Sequence, residues 1–186
     1  MSALLAARPP ATADAPASVA ATAAVQAAWA ALAGVLDPEV PVVSIVELGI
    51  VRDVRVDADT LVVVLTPTYS GCPATAVIEA DARAALAAAG VDACRIETAL
   101  APAWTTDWMA PEARERLRDF GIAPPGGAAR VDVRGLSPLR RASVAVPCPR
   151  CGSHATSILS QFGSTACKAL YRCLDCREPF DYFKPH

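Results

Sequence analysis

The stretches RDVRVD (residues 52–57) and TLVVVLT (residues 60–66) decide the fold of this 186-residue chain. In the first stretch Val54 and Val56 alternate with charged residues, which predicts a strand with one face in water. The second is a continuous run of Leu and β-branched residues, typical of a strand buried on both faces. Because only a short turn at residues 57–59 separates them, the two strands are predicted to form a hairpin.

A helix is predicted before the hairpin, over residues 19–36. Val25, Trp29 and Leu32 recur there at three- and four-residue spacing, which produces one apolar stripe on a helix. The sequence DPE at residues 37–39 is expected to stop this helix, because proline has no amide proton to continue the hydrogen-bond ladder.

Three further elements follow the hairpin. They are predicted as a helix over residues 74–89, a strand over residues 91–100 and a helix over residues 111–120 that begins at Pro111 and ends before Gly121. The order helix, strand, strand, helix, strand predicts an α/β (α+β) fold, a small mixed sheet with helices packed on it.

Two matched cysteine pairs, CPRC at residues 148–151 and CLDC at residues 173–176, stand near the C-terminus. Two residues between thiolates let a tight turn aim both sulfurs at one ion, and two such turns complete the tetrahedral sulfur shell that zinc prefers. The predicted structural ligands are Cys148, Cys151, Cys173 and Cys176. Two disulfides, four buried thiols and a rubredoxin-like iron site are the alternatives, and iron shares the tetrahedral thiolate geometry of zinc.

Composition divides the chain into segments and limits its partners. An Ala/Pro-rich leader over residues 1–18 is predicted to be disordered. A core with a C-terminal extension is predicted over residues 19–122. A linker over residues 123–143 then leads to a small zinc-ribbon-like domain over residues 144–186. The net charge of −2 argues against a general nucleic-acid binder. Neither an export signal nor an apolar run long enough for a membrane span is evident, so we expect a cytoplasmic protein.

The loop at residues 67–73 places Cys72 between Gly71 and Pro73, just before a predicted helix. The positive end of that helix is expected to lower the thiol pKa, which would make Cys72 a nucleophile, a metal ligand or a transient carrier of a cluster. A small buried residue at the start of a helix is an equally good interpretation. Asp37 and Glu39 are candidate acid/base groups or hard ligands, although such a pair is more often a helix stop.

Three motifs occur together in order: DPE at residues 37–39, VELGIV at residues 46–51 and TPTYSGCP at residues 66–73. In this combination, over roughly residues 25–100, the chain resembles the SufT-like metal-sulfur cluster assembly domain family. The resemblance implies that the loop cysteine takes part in the maturation of iron–sulfur proteins. The residues that it implies to contact iron or a cluster are Cys72, Asp37, Glu39, Thr66 and Thr68.

A second resemblance covers nearly the whole chain. It is carried by WTTDWM at residues 104–109, FGSTACKALYRC at residues 162–173 and EPFDYFK at residues 178–184. With these segments the chain resembles the family of D subunits of phenylacetyl-CoA epoxidase. The resemblance implies a bacterial cytoplasmic accessory protein of aerobic phenylacetate breakdown that is not itself an enzyme and has no catalytic residues of its own.

The same resemblance implies cofactors and partners. The cofactors are a structural zinc ion and a transient iron ion or iron–sulfur cluster. The partners are epoxidase subunits, and the iron–sulfur reductase is the first candidate client. Neither nucleic acid nor a membrane is expected as a partner, and a homodimer is left open.

Cys167 does not fit the four-cysteine pattern, because it precedes the second pair by six residues and would overfill a tetrahedral shell. We treat it as a possible second reactive thiol. A competing hypothesis is a structural subunit that docks through its zinc tail, with Phe180, Tyr182 and Phe183 as exposed anchors. A catalytic oxygenase component fits poorly, since the chain has no paired Glu-x-x-His motif and no Gly-rich nucleotide fingerprint.

Overall fold

The computed structural model describes residues 19–91, 93–126 and 146–186, so the predicted leader and most of the predicted linker lie outside it. Within those ranges no helix combines the length and the apolar character that crossing a bilayer requires. The elements in chain order are α1 (Val19–Leu32), β1 (Leu36–Asp37), β2 (Val40–Ser44), β3 (Val51–Asp57), β4 (Thr60–Leu65), α2 (Thr75–Ala88), β5 (Cys94–Thr98), a 3-10 turn (Thr106–Trp108), α3 (Pro111–Phe120), β6 (Ile122–Ala123), β7 (Thr156–Ser160), β8 (Lys168–Cys173) and β9 (Pro179–Phe183).

The predicted hairpin forms the centre of the first sheet, whose strand order is β3-β4-β5. Strands β3 and β4 are antiparallel, and Asp57 pairs with Thr60 across the turn. Ala58 and Asp59 both have positive φ, 44° and 70°, which gives a two-residue turn whose twist matches that of the strands. Strand β5 then pairs in parallel with β4 after the α2 crossover, so the sheet is mixed, as predicted.

The first helix ends earlier than the sequence predicts. Helix α1 stops at Leu32, and the next residues form the short β1–β2 pair instead of a last helical turn. The Asp37 carboxylate explains the difference, because its Oδ1 accepts hydrogen bonds from the backbone N–H groups of Glu39 (2.9 Å) and Val40 (2.8 Å) and closes a tight turn. The expectation that the DPE sequence stops the helix was therefore wrong. Helix α3, in contrast, has the predicted bounds.

The second sheet has the strand order β6-β9-β8-β7. Three of its strands belong to the C-terminal ribbon, whereas β6 directly follows α3 and pairs in parallel with β9, through Ile122 with Asp181 and Ala123 with Tyr182. Cys167 and Phe183 of the ribbon are buried in the same hydrophobic cluster as the first sheet and its helices. The ribbon is thus fastened to the rest of the fold by backbone pairing and by side-chain packing.

The prediction of exposed aromatic anchors at the C-terminus was wrong. Phe180, Tyr182 and Phe183 are only 4%, 7% and 1% exposed. Phe180 and Tyr182 pack on Tyr171 inside the ribbon, with ring centroids 5.9 Å and 5.5 Å from it. Phe183 alternates to the opposite face of β9 relative to Tyr182 and contacts Trp104, with a centroid distance of 6.1 Å.

The VELGIV motif holds the segment that leads into α3. The Trp104 indole N–H donates to the Leu48 carbonyl (2.9 Å), and the Ala110 N–H donates to the Glu47 carbonyl (2.8 Å). Gly49 has a φ of +71°, and a Cβ at this position would lie 2.7 Å from the Trp108 carbonyl oxygen. Only glycine satisfies both the left-handed backbone and the close approach.

We expect Gly49→Ala to lower the free energy of unfolding by about 2–5 kcal/mol, because left-handed strain and overpacking against Trp108 add together. The matched control is Gly90→Ala, where φ is +80° but a Cβ would meet no atom within 4 Å. It should cost only the backbone term of about 1–2 kcal/mol. Urea unfolding followed by circular dichroism measures both; equal losses would show that the contact with Trp108 imposes no constraint.

Candidate functional site

The four predicted ribbon cysteines converge at one point. The Sγ atoms of Cys148 and Cys176 are 3.8 Å apart, those of Cys151 and Cys173 are 3.6 Å apart, and all four sulfurs lie within 4.8 Å of one another. A tetrahedral zinc ion with Zn–S bonds of about 2.3 Å requires sulfurs about 3.8 Å apart. A disulfide requires about 2.05 Å. The geometry therefore fits a tetrahedral metal ion and not disulfides.

Backbone turns aim the sulfurs at this point. The Gly152 N–H donates to the Cys148 carbonyl (2.9 Å), and Gly152 takes the positive φ (75°) that the turn needs. Backbone N–H groups of Cys176 and Asp175 point at the Cys173 sulfur and lower the pKa of its thiol below the ordinary value. Such donors favour the thiolate, which is the form that binds a metal.

The four-cysteine group of the ribbon is unsuited to catalysis. Four sulfurs fill a tetrahedral shell and leave no open position for a substrate. His154 and His186 are exposed, and neither belongs to the cysteine group. The role that this arrangement supports is to hold the ribbon folded.

Replacing a ribbon ligand should remove the metal. For Cys173→Ser we expect the metal content per chain to fall to background. We also expect the ring contacts of Tyr171 with Phe180 and Tyr182 to become disordered, since metal binding and folding of such a domain are coupled. Cys94→Ser is the control, because Cys94 lies in β5, outside the metal group. Elemental analysis and near-ultraviolet circular dichroism measure the two effects; a Cys173→Ser protein with full metal content would contradict the assignment.

A second candidate site is a cavity of about 10 Å³ between the β1–β2 turn, the loop after β4 and the ribbon. Its polar lining consists of Asp37, Glu39, Thr68, Cys72 and Cys167; its apolar lining consists of Val40, Leu48, Ile50, Pro67, Ile78 and Phe183. Four of the five residues implied by the cluster-assembly resemblance are thus brought together. Thr66 is not among them: it lines an adjacent groove.

Cys167 is the residue whose position the sequence does not reveal. It reaches the cavity because the ribbon packs on the first sheet, and its thiol donates to the Glu39 carboxylate (Sγ to Oε2, 3.4 Å) across 128 positions of the chain. The Thr165 hydroxyl lies 3.0 Å from the same sulfur. Burial raises the pKa of the Cys167 thiol to about 11, the contact with Thr165 opposes this rise, and the Glu39 carboxylate adds to it.

Glu39 is held in place by the ribbon. Lys168, which is 4% exposed, donates from Nζ to the Glu39 carbonyl (3.2 Å) and pairs with Asp181 at 3.7 Å. Asp37 has a more structural role, because one of its carboxylate oxygens is used by the turn. Burial raises the pKa of Asp37, although the hydrogen bonds from Glu39 and Val40 act in the opposite direction.

The predicted activation of Cys72 by a helix end was wrong. Helix α2 begins only at Thr75, and the half-buried Cys72 lies in the preceding turn, where its carbonyl accepts from the Thr75 hydroxyl (2.9 Å). Burial raises the pKa of the Cys72 thiol above its ordinary value; the Ala74 N–H opposes this effect and the Glu39 carboxylate strengthens it. Desolvation therefore outweighs the hydrogen bond from the Ala74 N–H.

The cavity borders the adjacent groove at Pro67 and Thr68, which line both spaces. The groove, of about 400 Å³, is lined by Thr66, Pro67, Thr68, Tyr69, Ser70, Leu100, Ala103, Trp104 and His186. The Tyr69 hydroxyl is buried beside the Cys72 sulfur, yet it makes no hydrogen bond of normal geometry within the described residues. Burial raises the pKa of Tyr69 to about 12, and the neighbouring Cys72 adds to this rise.

These raised pKa values predict slow alkylation of Cys72. At pH 7 we expect iodoacetamide to modify Cys72 more slowly than free glutathione, because the thiolate is the reactive form. The rate should increase about tenfold per pH unit up to the thiol pKa. Mass spectrometry of quenched time points measures the rate at this residue, and a rate that is already constant near pH 7 would mean a low thiol pKa.

Comparison with known proteins covers both parts of the chain. The family model described as "Iron-sulfur cluster assembly protein" matches residues 25–98, and the one described as "PaaD zinc beta ribbon domain" matches residues 135–184. A relative from Escherichia coli (strain K12), provisionally named as the D subunit of 1,2-phenylacetyl-CoA epoxidase, is 51% identical over 156 residues, or 84% of this chain and 90% of the relative.

Two solved structures resemble the N-terminal part. A domain of unknown function from Bacillus anthracis is 31% identical, with 53% of this chain and 94% of that chain covered and a TM-score of 0.49. A conserved hypothetical protein from Thermotoga maritima is 33% identical, with coverage of 50% and 91% and a TM-score of 0.43.

Proposed function

Because the chain belongs to the family of D subunits of phenylacetyl-CoA epoxidase, we propose that it is an accessory protein that matures an iron–sulfur centre of the epoxidase complex. The motif resemblances to this family and to the cluster-assembly domain are confirmed by the matches. The proposed client is the iron–sulfur reductase subunit, and the proposed setting is the cytoplasm of a bacterium that degrades phenylacetate. In this role the chain assists an enzyme and performs no turnover of its own.

The observation that carries the proposal is the cavity around Cys72. It combines thiol and carboxylate groups in a partly enclosed space, whereas the four ribbon cysteines, which would saturate a metal ion, do not line it. Thiolates are the usual ligands of iron in iron–sulfur proteins. Cys72 lies within the segment that matches the cluster-assembly family, which supports a task in handling iron or cluster components.

The raised thiol pKa values are compatible with a carrier. A protonated thiol is a weak nucleophile and does not react indiscriminately, whereas an arriving metal ion displaces the proton and binds the thiolate. Burial of Cys72 and Cys167 therefore favours the binding of a metal ion by these thiols over their oxidation.

A second candidate function is a non-catalytic scaffold component that docks through the ribbon. The buried C-terminal aromatic residues do not support it, but other apolar side chains of the ribbon do. Ile158 and Leu159 of the edge strand β7, and Phe162 after it, are exposed. An exposed edge strand with apolar side chains is a ready surface for another component of the epoxidase.

The two functions differ in what Cys72→Ala does. We expect the reductase produced together with this variant to contain only a small fraction of its normal iron and acid-labile sulfide, while the variant itself keeps its ribbon metal and its fold. Cys94→Ala, a thiol replacement in β5, is the matched control and should support a fully loaded reductase. A fully loaded reductase with Cys72→Ala would reject the carrier, and loss of stable complex formation in Leu159→Asp would then favour the scaffold.

A further inference from the structure

The ribbon contributes Cys167 to the cavity around Cys72, and this contribution indicates which cargo the cavity binds. We propose that Cys72, Cys167 and Glu39 together bind a single thiophilic divalent ion, ferrous iron in the cell. The inference rests on the proposed function and deepens it. In this arrangement the ribbon completes a metal-delivery site that the cluster-assembly segment does not possess alone.

The donor set matches such an ion. Two thiols and two carboxylates line the same cavity. Asp37 is engaged by the backbone of the turn, whereas the Glu39 carboxylate already contacts the Cys167 sulfur at 3.4 Å. Sulfur with one oxygen suits a borderline ion such as ferrous iron better than magnesium or calcium, which prefer oxygen ligands only. On binding, each thiol loses its proton to solvent and forms a metal–sulfur bond, so the step releases two protons and transfers no electron.

The size of the cavity limits the cargo to one ion. A volume of about 10 Å³ corresponds to the space for about one water-sized group. An iron–sulfur cluster contains several iron and sulfide atoms and exceeds this volume. The site is therefore suited to supply iron before a cluster is built, and not to carry a finished cluster.

The Tyr69 hydroxyl is a buried donor beside the proposed ligands. It makes no hydrogen bond of normal geometry within the described residues, and its nearest acceptor is the Cys72 sulfur; Glu39 and Cys167 act on it electrostatically. A buried donor without an acceptor costs about 1–3 kcal/mol. A thiolate of Cys72 or a water on the bound ion would accept this proton.

The arrangement favours release over permanent storage. Within the described residues only the ribbon sulfurs form a set of ligand atoms mutually within 4.8 Å, so Cys72, Cys167 and Glu39 must move inward to surround an ion. The buried ammonium group of Lys168, bound to the Glu39 carbonyl, offsets part of the negative charge of two thiolates and a carboxylate. An ion held by three ligands keeps an open position through which a client thiolate can take it over.

The test is an anaerobic titration with Co(II), a spectroscopic substitute for ferrous iron, of the full chain with its ribbon metal in place. We expect a single Co(II) per chain to bind with thiolate-to-cobalt charge-transfer absorption while the zinc content stays constant. Cys72→Ala and Cys167→Ala should each remove about half of that absorption and weaken binding at least about tenfold. Glu39→Gln should weaken binding but keep the thiolate bands.

Cys94→Ala is the matched control and should bind Co(II) like the unchanged protein. Cys167→Ser, nearly isosteric with cysteine, serves as the second variant if Cys167→Ala proves unstable by circular dichroism. Co(II) binding that is unchanged in both Cys167 variants, or that occurs only as zinc is displaced, would overturn the proposal.

Reductase loading separates this inference from the proposed function. If the Cys167 variants bind Co(II) normally while Cys72→Ala still yields an iron-poor reductase, the shared site is wrong and the maturation role stands. If Co(II) binding needs both thiols but the reductase is fully loaded without either, the metal site stands and the maturation role is wrong.

Discussion

The packing of the C-terminal ribbon on the first sheet is the contact on which the candidate site depends. Phe183 enters the main hydrophobic cluster and contacts Trp104, while β6 pairs with β9. The backbone N–H of Lys184 donates to the Cys167 carbonyl (3.0 Å), which fastens the strand that carries Phe183 to the turn that carries Cys167. Without this packing Cys167 and Lys168 would not reach Glu39, and the cavity would lose one wall.

The ribbon metal acts on the cavity indirectly through that packing. The four cysteines shape a small sheet that has too few large apolar residues to be stable by itself, since a domain of this size usually needs a metal or disulfides. Once folded, the sheet presents Phe183 and Cys167 on the face that meets the first sheet. The four-cysteine group thus supports the wall that the ribbon contributes to the cavity around Cys72.

Burial decides the chemistry of the thiols. A cysteine just before a helix suggests a stabilised thiolate, but the structure places Cys72 three positions before the first helical residue, Thr75, and half inside the protein. Removal of water disfavours the charged form more than the Ala74 N–H favours it, so burial raises the pKa of the Cys72 thiol above its ordinary value. The nearby Glu39 carboxylate acts in the same direction on both thiols.

Local signals were enough where one kind of interaction dominates. The uninterrupted apolar run of β4, the proline and glycine that bound α3, and the two cysteine pairs of the ribbon each have one favourable structure, and each forms as predicted. Competing local signals were not enough at residues 33–39. There the apolar stripe of α1 continues in the sequence, but side-chain hydrogen bonds of Asp37 favour a turn and a short strand pair.

The sequence by itself determined the mixed sheet and the metal-binding ribbon, because periodicity, turn chemistry and ligand spacing act over a few residues. The candidate residues around Cys72 followed from the resemblance of their motifs to the cluster-assembly family. Tertiary structure alone decided that both faces of β9 are buried, that Cys167 joins Glu39 across 128 positions, and that the thiols are desolvated. These outcomes depend on how two sheets pack, and no local pattern encodes the distance between residues that meet only through that packing.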